Sequence, residues 1–152
     1  MLFSYFRVTY KDRSMGRILA IDYGKKRCGI AVSDPLQIIA TGLQTVATAD
    51  LWAFLQEYIA KEEVECLVVG EPMQMDYTPS ESERYIAPFV GRFRKAYPHI
   101  PLERVDERFT SRIARQAILD MGARRKQRQD KATIDKVSAT LILQTYMQFK
   151  KS

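Results

Sequence analysis

Apolar positions in the first third of the chain fall into three short runs separated by turn residues. The runs 17–23 and 27–33 flank Gly24-Lys25-Lys26, and this spacing predicts two strands joined by a tight antiparallel hairpin. A third strand is predicted over 38–46. The beginning of the chain is therefore expected to form three consecutive antiparallel strands.

Helical and strand patterns alternate in the rest of the chain. Asp50 is expected to cap a helix that ends near Lys61, because apolar residues recur there at helical spacing. The nearly continuous apolar run 64–70 is typical of a buried parallel strand, and a shorter strand is predicted over 102–106. Further helices are predicted over 80–96 (capped by Thr78 or Ser80), 110–121 (capped by Thr110 or Ser111) and 131–149. This order predicts an α/β fold with a mixed sheet.

The length of 152 residues is enough for one sizeable core, so we expect a single domain over 16–152. Residues 1–15 are expected to be either an N-terminal extension or the result of a start assigned too early, since Met15 directly precedes the domain. This segment lacks the features of a signal peptide. No run in the chain approaches the roughly 18 apolar residues of a membrane span, so no membrane partner is expected.

Cysteine and histidine offer little chemistry in this chain. Cys28 and Cys66 both fall in predicted strands, and we expect them to be small buried residues of a reducing compartment. His99 is the only histidine and lies in a predicted loop, which disfavours Cys-His and Ser-His-Asp catalysis. Acid-base or metal chemistry would therefore depend on carboxylates.

Two aspartates stand at informative positions. Asp22 closes the first predicted strand, where it is either a turn residue or a functional acid. Asp135 lies near the start of the last predicted helix, on the same face as Ala139, Ile142 and Tyr146. An aspartate on a core-facing stripe is costly unless it is paired or binds metal, although it could also interact with the helix dipole.

Further acids follow other predicted strands. Asp106 and Glu107 end one strand, and Glu71 ends another. Because neighbouring strand residues face opposite sides, only one of Asp106 and Glu107 can face a shared site. Ligands of open α/β sheets collect at the carboxyl ends of the strands, and carboxylate clusters suit Mg²⁺ or Mn²⁺. The strand order that would bring these acids together does not follow from the pattern alone.

Basic residues flank these acids in sequence. The net charge is +6, which favours polyanionic partners. The basic clusters are Lys25-Lys26-Arg27, the helical stripe Arg108, Arg112 and Arg115, and the segment 124–131. We interpret them as a track for a phosphate backbone, with a solvated charged face as the alternative. Exposed aromatic residues for base stacking are not evident.

Four motifs carry a family resemblance. Ile21–Asp34 reads IDYGKKRCGIAVSD and Val68–Thr78 reads VVGEPMQMDYT. Val105–Ser111 reads VDERFTS and Lys131–Tyr146 reads KATIDKVSATLILQTY. In this order they resemble the signature of the YqgF family, also called the RuvX or Holliday-junction-resolvase-like family, over residues 16–149. Each motif is weak alone, and together they are highly specific.

The resemblance implies a ribonuclease H-like fold. Its five-stranded mixed sheet would have three antiparallel strands followed by parallel ones, with helices on both faces. It also implies a bacterial cytoplasmic nuclease with Mg²⁺ or Mn²⁺ as cofactor. Its action would be the 5′ maturation of pre-16S ribosomal RNA, with structured RNA or a pre-ribosomal particle as partner.

The resemblance assigns roles to individual residues. By motif, the catalytic and metal-binding acids would be Asp22, Glu107 and Asp135, with Asp106 as the alternative to Glu107 and Glu71 as a weaker candidate. Arg27 and Arg108 match basic family positions. Together with Lys25 and Arg112, they are expected to bind substrate phosphates. The chain departs from the family at Asp76-Tyr77-Thr78, where the family has D-G-T, and at Glu71, where an apolar residue is common.

Two other functions remain open at this point. A Holliday junction resolvase would need a dimer, because two symmetric cuts need two sites. A non-catalytic RNA-binding factor in ribosome assembly would keep the fold without the chemistry. Retained metal binding at the carboxylates would separate the enzyme from the assembly factor. The oligomeric state does not follow from the sequence.

Overall fold

The computed structural model of this protein describes residues 16–74, 76, 78–107 and 131–151. A five-stranded sheet has the order β3-β2-β1-β4-β5. The strands are β1 (Arg17–Tyr23), β2 (Arg27–Ser33), β3 (Ala40–Ala47), β4 (Val64–Glu71) and β5 (Leu102–Asp106). The helices are α1 (Leu51–Lys61), α2 (Glu83–Ala96) and α3 (Lys131–Lys151). The predicted helix 110–121 lies outside the described residues.

The pairing is mixed, as predicted. β1 pairs antiparallel with β2, and β2 pairs antiparallel with β3. β4 runs parallel to both β1 and β5. The sheet therefore has three antiparallel strands on one side and a parallel half on the other, which confirms the predicted fold class.

The sheet separates two apolar cores. α1 and α2 pack on one face, where Leu55 and Phe93 meet Leu19 and Ile21 of β1. α3 packs on the other face, against a cluster that includes Ala20 of β1. Side chains alternate between faces along a strand, so each position of β1 belongs to one of the two cores. Helices therefore cover both faces of the sheet, as predicted.

The third strand begins later than predicted. β3 starts at Ala40, whereas the apolar pattern predicted a start at residue 38. The Asp34 carboxylate accepts hydrogen bonds from the backbone N–H groups of Ile38 and Ile39, both at 2.7 Å. Gln37 has a φ of 59°, a turn conformation. These two contacts hold the residues before Ala40 in a loop.

Two predicted helix starts differ in detail. Asp50 precedes α1 but makes no side-chain capping hydrogen bond, because its own backbone is helical, at φ −99° and ψ −3°. α2 starts at Glu83 instead of Ser80. Ser80 Oγ still accepts the backbone N–H of Ser82 at 3.1 Å, one turn before the helix. The predicted capping serine therefore stabilises the entry to α2 and not its first turn.

The predicted behaviour of cysteine and histidine is confirmed. Cys28 and Cys66 are both free and buried in strands. His99 is exposed in the loop between α2 and β5. Within the described part of the chain, no helix has the length and apolar character needed to cross a membrane.

Candidate active site at the carboxyl end of the sheet

The strand register sorts the candidate acids between the two faces. Ile18 and Ala20 of β1 face α3, so Asp22 faces α3 by alternation. Val105 of β5 also faces α3, and Glu107 lies two residues further on. The Glu107 N–H donates to the Glu71 carbonyl oxygen at 3.1 Å, which extends the parallel ladder by one bond. Asp22 and Glu107 therefore lie on the same face.

Glycine at position 70 makes room for Glu107. A Cβ on Gly70 would lie 2.8 Å from Glu107 Oε2 and 2.8 Å from Ile142 Cδ1. Gly70 stands in β4, between the strands that lead to Asp22 and Glu107. The absence of a side chain at this position lets the Glu107 carboxyl cross β4 toward Asp22.

Asp22 and Glu107 form a carboxyl pair. Burial raises the pKa of Asp22 to about 6, and the nearby charge of Asp135 adds to this effect while a hydrogen bond from Glu107 opposes it. Burial raises the pKa of Glu107 to about 9, assisted by the charge and the hydrogen bond of Asp22. Near neutral pH, Glu107 is therefore protonated and donates its hydrogen bond to an ionised Asp22.

Asp135 approaches the pair from the other side of β1. Gly29 of β2 is the partner of Asp22, and a Cβ on Gly29 would lie 2.0 Å from the Asp135 carbonyl oxygen. α3 thus rests directly on the backbone of β2 at this point. Arg27 Nε donates to Asp135 Oδ2 at 2.9 Å, in an ion pair that is partly open to solvent. The aspartate predicted on the core-facing stripe is paired, as its position requires.

Thr48, which lies outside the β1–β2 hairpin, anchors the basic turn between these two strands. Thr48 Oγ1 donates to the Gly24 carbonyl oxygen at 2.7 Å, and the Thr48 N–H donates to the Lys26 carbonyl oxygen at 2.9 Å. The side chains of Lys25 and Lys26 are exposed. The turn therefore presents its lysines to solvent on a backbone that Thr48 anchors.

The other two acids lie on the opposite face. Glu71 and Asp106 are register partners, and both face the α2 side of the sheet by alternation. Arg104 Nη1 lies 2.7 Å from Glu83 Oε1 on α2 and 3.9 Å from Glu71 Oε2. Arg104 Nη2 also donates to the Gly70 carbonyl oxygen at 3.0 Å. Glu71 therefore belongs to an ion-pair cluster around Arg104.

A comparison with protein-family models shows which family this chain belongs to. A family model described as RuvX, Holliday junction resolvase, matches residues 16–149. The chain belongs to the RuvX family. The resemblance predicted from four motifs is therefore confirmed.

Relatives of this RuvX chain share nearly their full length with it. A protein of Phocaeicola vulgatus named "Putative pre-16S rRNA nuclease" is 58% identical over 137 residues, which is 90% of this chain and 99% of the relative. A protein of Christiangramia forsetii with the same name is 54% identical over 133 residues, 88% of this chain and 98% of the relative.

A solved structure shares the fold of this RuvX chain. The structure described as T. thermophilus RuvC in complex with Holliday junction substrate superposes with a TM-score of 0.53 at 16% identity, over 88% of this chain and 96% of that chain. This similarity confirms the ribonuclease H-like fold.

The donor set at the carboxyl pair suits a hard divalent cation. Asp22 and Glu107 offer carboxylate oxygens only, the ligands that Mg²⁺ and Mn²⁺ prefer. A divalent cation would also balance the negative charge that burial penalises at this pair. Among the described residues, no three Cys, His or acidic side chains stand at mutual distances that would hold a metal. Asp135, which contacts Arg27, is the third acid of the predicted set, and its charge acts on Asp22.

Several predicted features of this RuvX chain fall outside the described residues. They are the phosphate-binding candidates Arg108 and Arg112, together with Arg115 and most of the segment 124–131. The loop that departs from D-G-T is described except at Met75 and Tyr77. Thr78 donates to Asp76 Oδ1 through its N–H at 3.1 Å and its hydroxyl at 2.6 Å, so the loop is held by local contacts.

Sequence reasoning missed the residues that position the acids. Gly29 lets α3 pack closely on β2, and Gly70 leaves room for the Glu107 side chain. Thr48 anchors the turn, and Arg104 binds the carboxyl end of β4. Glycines within predicted strands were the available signal, because such glycines often mark the close approach of another group.

The linear pattern did not predict one aromatic feature of the structure. Half-buried and buried aromatic side chains near the basic turn line a cavity of about 380 Å³. We call this the aromatic cavity; its main walls are Tyr23, Thr48, Trp52, Tyr85, Phe89 and Arg92. The linear pattern hid it because the rings come from β1, α1 and α2.

Proposed function

We propose that this RuvX protein is an endonuclease that depends on a divalent metal and hydrolyses phosphodiester bonds in the 5′ maturation of pre-16S ribosomal RNA. The observation that carries this proposal is the carboxyl pair at the carboxyl end of the sheet, formed by the half-buried Asp22 and the buried Glu107. The names of the relatives support the RNA substrate.

Three acids would bind the metal. Asp22, Glu107 and Asp135 would hold Mg²⁺ or Mn²⁺, with Asp22 already ionised near neutral pH. When bound, the metal supplies an activated water and stabilises charge on the phosphodiester. Glu107 carries a proton near neutral pH and must release it before its carboxylate can act as a ligand.

The basic turn would hold the RNA backbone. Lys25 is exposed beside the end of β1, so its ammonium can approach a phosphate from solvent. Arg27 uses its Nε for Asp135, and its guanidinium has further N–H donors for a phosphate. Arg108 and Arg112 remain sequence predictions for the same role.

The proposal places the protein in the cytoplasm, with pre-ribosomal RNA as its partner. Its test is cleavage of a 5′-extended 16S precursor, free and within a pre-ribosomal particle, with Mg²⁺, Mn²⁺ or EDTA. We expect metal-dependent cutting by the wild type and none by Asp22→Asn, which keeps its RNA binding because the substitution removes a negative charge. Parallel loss of binding and cutting in Asp22→Asn would argue against a catalytic role for this residue.

Holliday junction resolution is the second candidate, favoured by the description of the family model. A four-way DNA junction assayed beside the RNA precursor separates the two. Symmetric cutting of the junction by a dimer, with the RNA left intact, would replace the RNA proposal. Binding without cutting of either substrate, including the particle, would instead favour a non-catalytic assembly factor.

A further inference from the structure

The aromatic cavity adjoins the basic turn. Thr48 forms part of its wall, and the same residue binds the carbonyl oxygens of Gly24 and Lys26. Tyr23, another wall residue, follows Asp22 directly in β1. The side chains of Asp22 and Tyr23 lie on opposite faces of the sheet at its carboxyl end. The basic turn, which Thr48 anchors, therefore lies between the cavity on one face and the strand end that carries Asp22.

The walls of the cavity offer stacking surfaces. The ring centroids of Tyr23 and Tyr85 are 6.3 Å apart, and those of Tyr23 and Phe89 are 5.1 Å apart. The Arg92 guanidinium carbon lies 3.9 Å from the centre of the Trp52 ring, and Arg92 is exposed. Aromatic rings bind nucleobases by stacking, and arginine adds a cationic contact.

The size and polarity of the cavity suit a small planar group. About 380 Å³ lies near the lower end of the ~300–1,000 Å³ range of small-ligand pockets. Trp52, Tyr23 and Tyr85 are half-buried, so part of each side chain is accessible, and the Arg92 guanidinium lies over the Trp52 ring. The exposed cations Lys25 and Lys26 belong to the turn whose backbone Thr48, a wall residue of the cavity, anchors.

We propose that the aromatic cavity binds an unpaired nucleobase of the RNA strand whose backbone the basic turn would hold. The identity of the polymer rests on the function proposed above. Bases in a duplex are stacked and paired, so only a single-stranded stretch can place a base in this cavity. The cavity would thereby select a single-stranded segment within structured RNA.

The single tryptophan of the chain, Trp52, reports on the cavity directly. Its fluorescence is measured in full-length Asp22→Asn with EDTA, so that cleavage plays no part. The titrants are a short oligoadenylate, an abasic ribose-phosphate strand of the same length and an RNA duplex. We expect strong quenching by the oligoadenylate and little by the other two, because only the first brings an unpaired base to the indole. Equal quenching by the abasic strand would overturn the proposal.

Two substitutions test the walls. Tyr85→Leu keeps an apolar side chain and removes the ring, and we expect about tenfold weaker binding of the oligoadenylate, the scale of one lost base stack. The matched control is Tyr58→Leu, which removes a half-buried tyrosine that stacks on Phe54, away from the cavity. Arg92→Gln changes an exposed side chain and should also weaken binding without affecting the fold.

Binding of the abasic strand should be the same in Tyr85→Leu and Tyr58→Leu, which do not change the charge, and thermal unfolding checks that each variant folds. If Arg92→Gln and a folded Tyr85→Leu both bind oligoadenylate like Tyr58→Leu, the rings serve only the core and the proposal fails.

The outcomes for the cavity and for the nuclease are separate. If the oligoadenylate quenches the fluorescence but the wild type does not cleave the precursor, the proposal of base binding is supported and the proposed nuclease activity is contradicted. If the wild type cleaves the precursor but the Asp22→Asn protein shows no base-dependent quenching, the proposed nuclease activity is supported and the proposal of base binding is contradicted.

Discussion

The carboxyl groups of Asp22 and Glu107 share a hydrogen bond across β4, which separates the strands that lead to them. The contact depends on Gly70, where a Cβ would lie 2.8 Å from Glu107 Oε2. A buried carboxyl pair destabilises a protein unless one member keeps a proton or a cation lies between them. A cation bound at the proposed site would offset this cost, and the cost can be measured.

The carboxyl pair should make the metal-free protein less stable as pH rises. Burial raises the pKa of Asp22 from 3.8 to about 6 and that of Glu107 from 4.5 to about 9. The folded state therefore holds protons that the unfolded state has released. The free energy of unfolding should fall from about pH 4 to about pH 9.

The glutamine side chain in Glu107→Gln cannot ionise. The substitution should therefore remove the fall in the free energy of unfolding between about pH 6 and pH 9. It should therefore be more stable than the wild type at pH 8 in EDTA. Denaturant unfolding at several pH values measures both effects. The exposed Glu63→Gln is the control and should keep the wild-type slope. The same slope in Glu107→Gln would contradict the assignment of the buried proton to Glu107.

Metal binding should release protons from the same pair. Carboxylate ligands must be ionised, and Glu107 has a pKa of about 9, so Mg²⁺ should bind more tightly as pH rises from about 6 to 9. Calorimetry near pH 7.5 in two buffers of different ionisation enthalpy counts the protons released. We expect fewer protons from Glu107→Gln than from the wild type. An affinity that does not change with pH would show that the metal binds elsewhere.

Gly29 should be intolerant of a side chain. A Cβ there would lie 2.0 Å from the Asp135 carbonyl oxygen, so Gly29→Ala must push α3 away from β2. We expect a loss of about 1–3 kcal/mol in the free energy of unfolding, typical of an overpacked contact. Gly91→Ala in α2 is the matched control, because nothing lies within 4 Å of its Cβ position. It should gain roughly 0.5–1 kcal/mol from helix propensity. Denaturant unfolding measures the free energy of unfolding of both variants. An equal change in Gly29→Ala and Gly91→Ala would contradict the close packing of α3 on β2.

Thr48 should hold the basic turn in place for RNA. Thr48→Val removes the 2.7 Å hydrogen bond to the Gly24 carbonyl oxygen, and we expect a stability loss of about 1 kcal/mol and weaker binding of an abasic ribose-phosphate strand. Thr145→Val is the control, since Thr145 Oγ1 makes a 2.8 Å bond to the Leu141 carbonyl oxygen within α3. A similar stability loss with unchanged binding is expected there. If both variants bind alike, Thr48 has no positioning role.

The apolar pattern predicted most of the fold but not the assembly of the site. It found β1, β2 and β5 because alternation and turn residues are local signals. It misplaced the start of β3, because hydrogen bonds from the Asp34 carboxylate override the apolar character of Ile38 and Ile39.

The choice between Asp106 and Glu107 needed information that a local pattern does not contain. Alternation showed that only one of them could face Asp22. The pairing of Gly70 with Val105, and the face that Val105 occupies, place Glu107 on the α3 side. Contacts between distant segments, such as Gly29 with Asp135, likewise depend on tertiary packing.

The most direct test of the candidate site compares two neighbouring acids on opposite faces of the sheet. The measurement is the Mg²⁺-dependent cleavage rate of the 5′-extended 16S precursor by the wild type, Glu107→Gln and Asp106→Asn. We predict a loss of roughly 100-fold or more in Glu107→Gln, the scale of removing one electrostatic group from a preorganised site, and a near wild-type rate in Asp106→Asn. Loss of cleavage in Asp106→Asn with activity retained in Glu107→Gln would contradict the site on the α3 face.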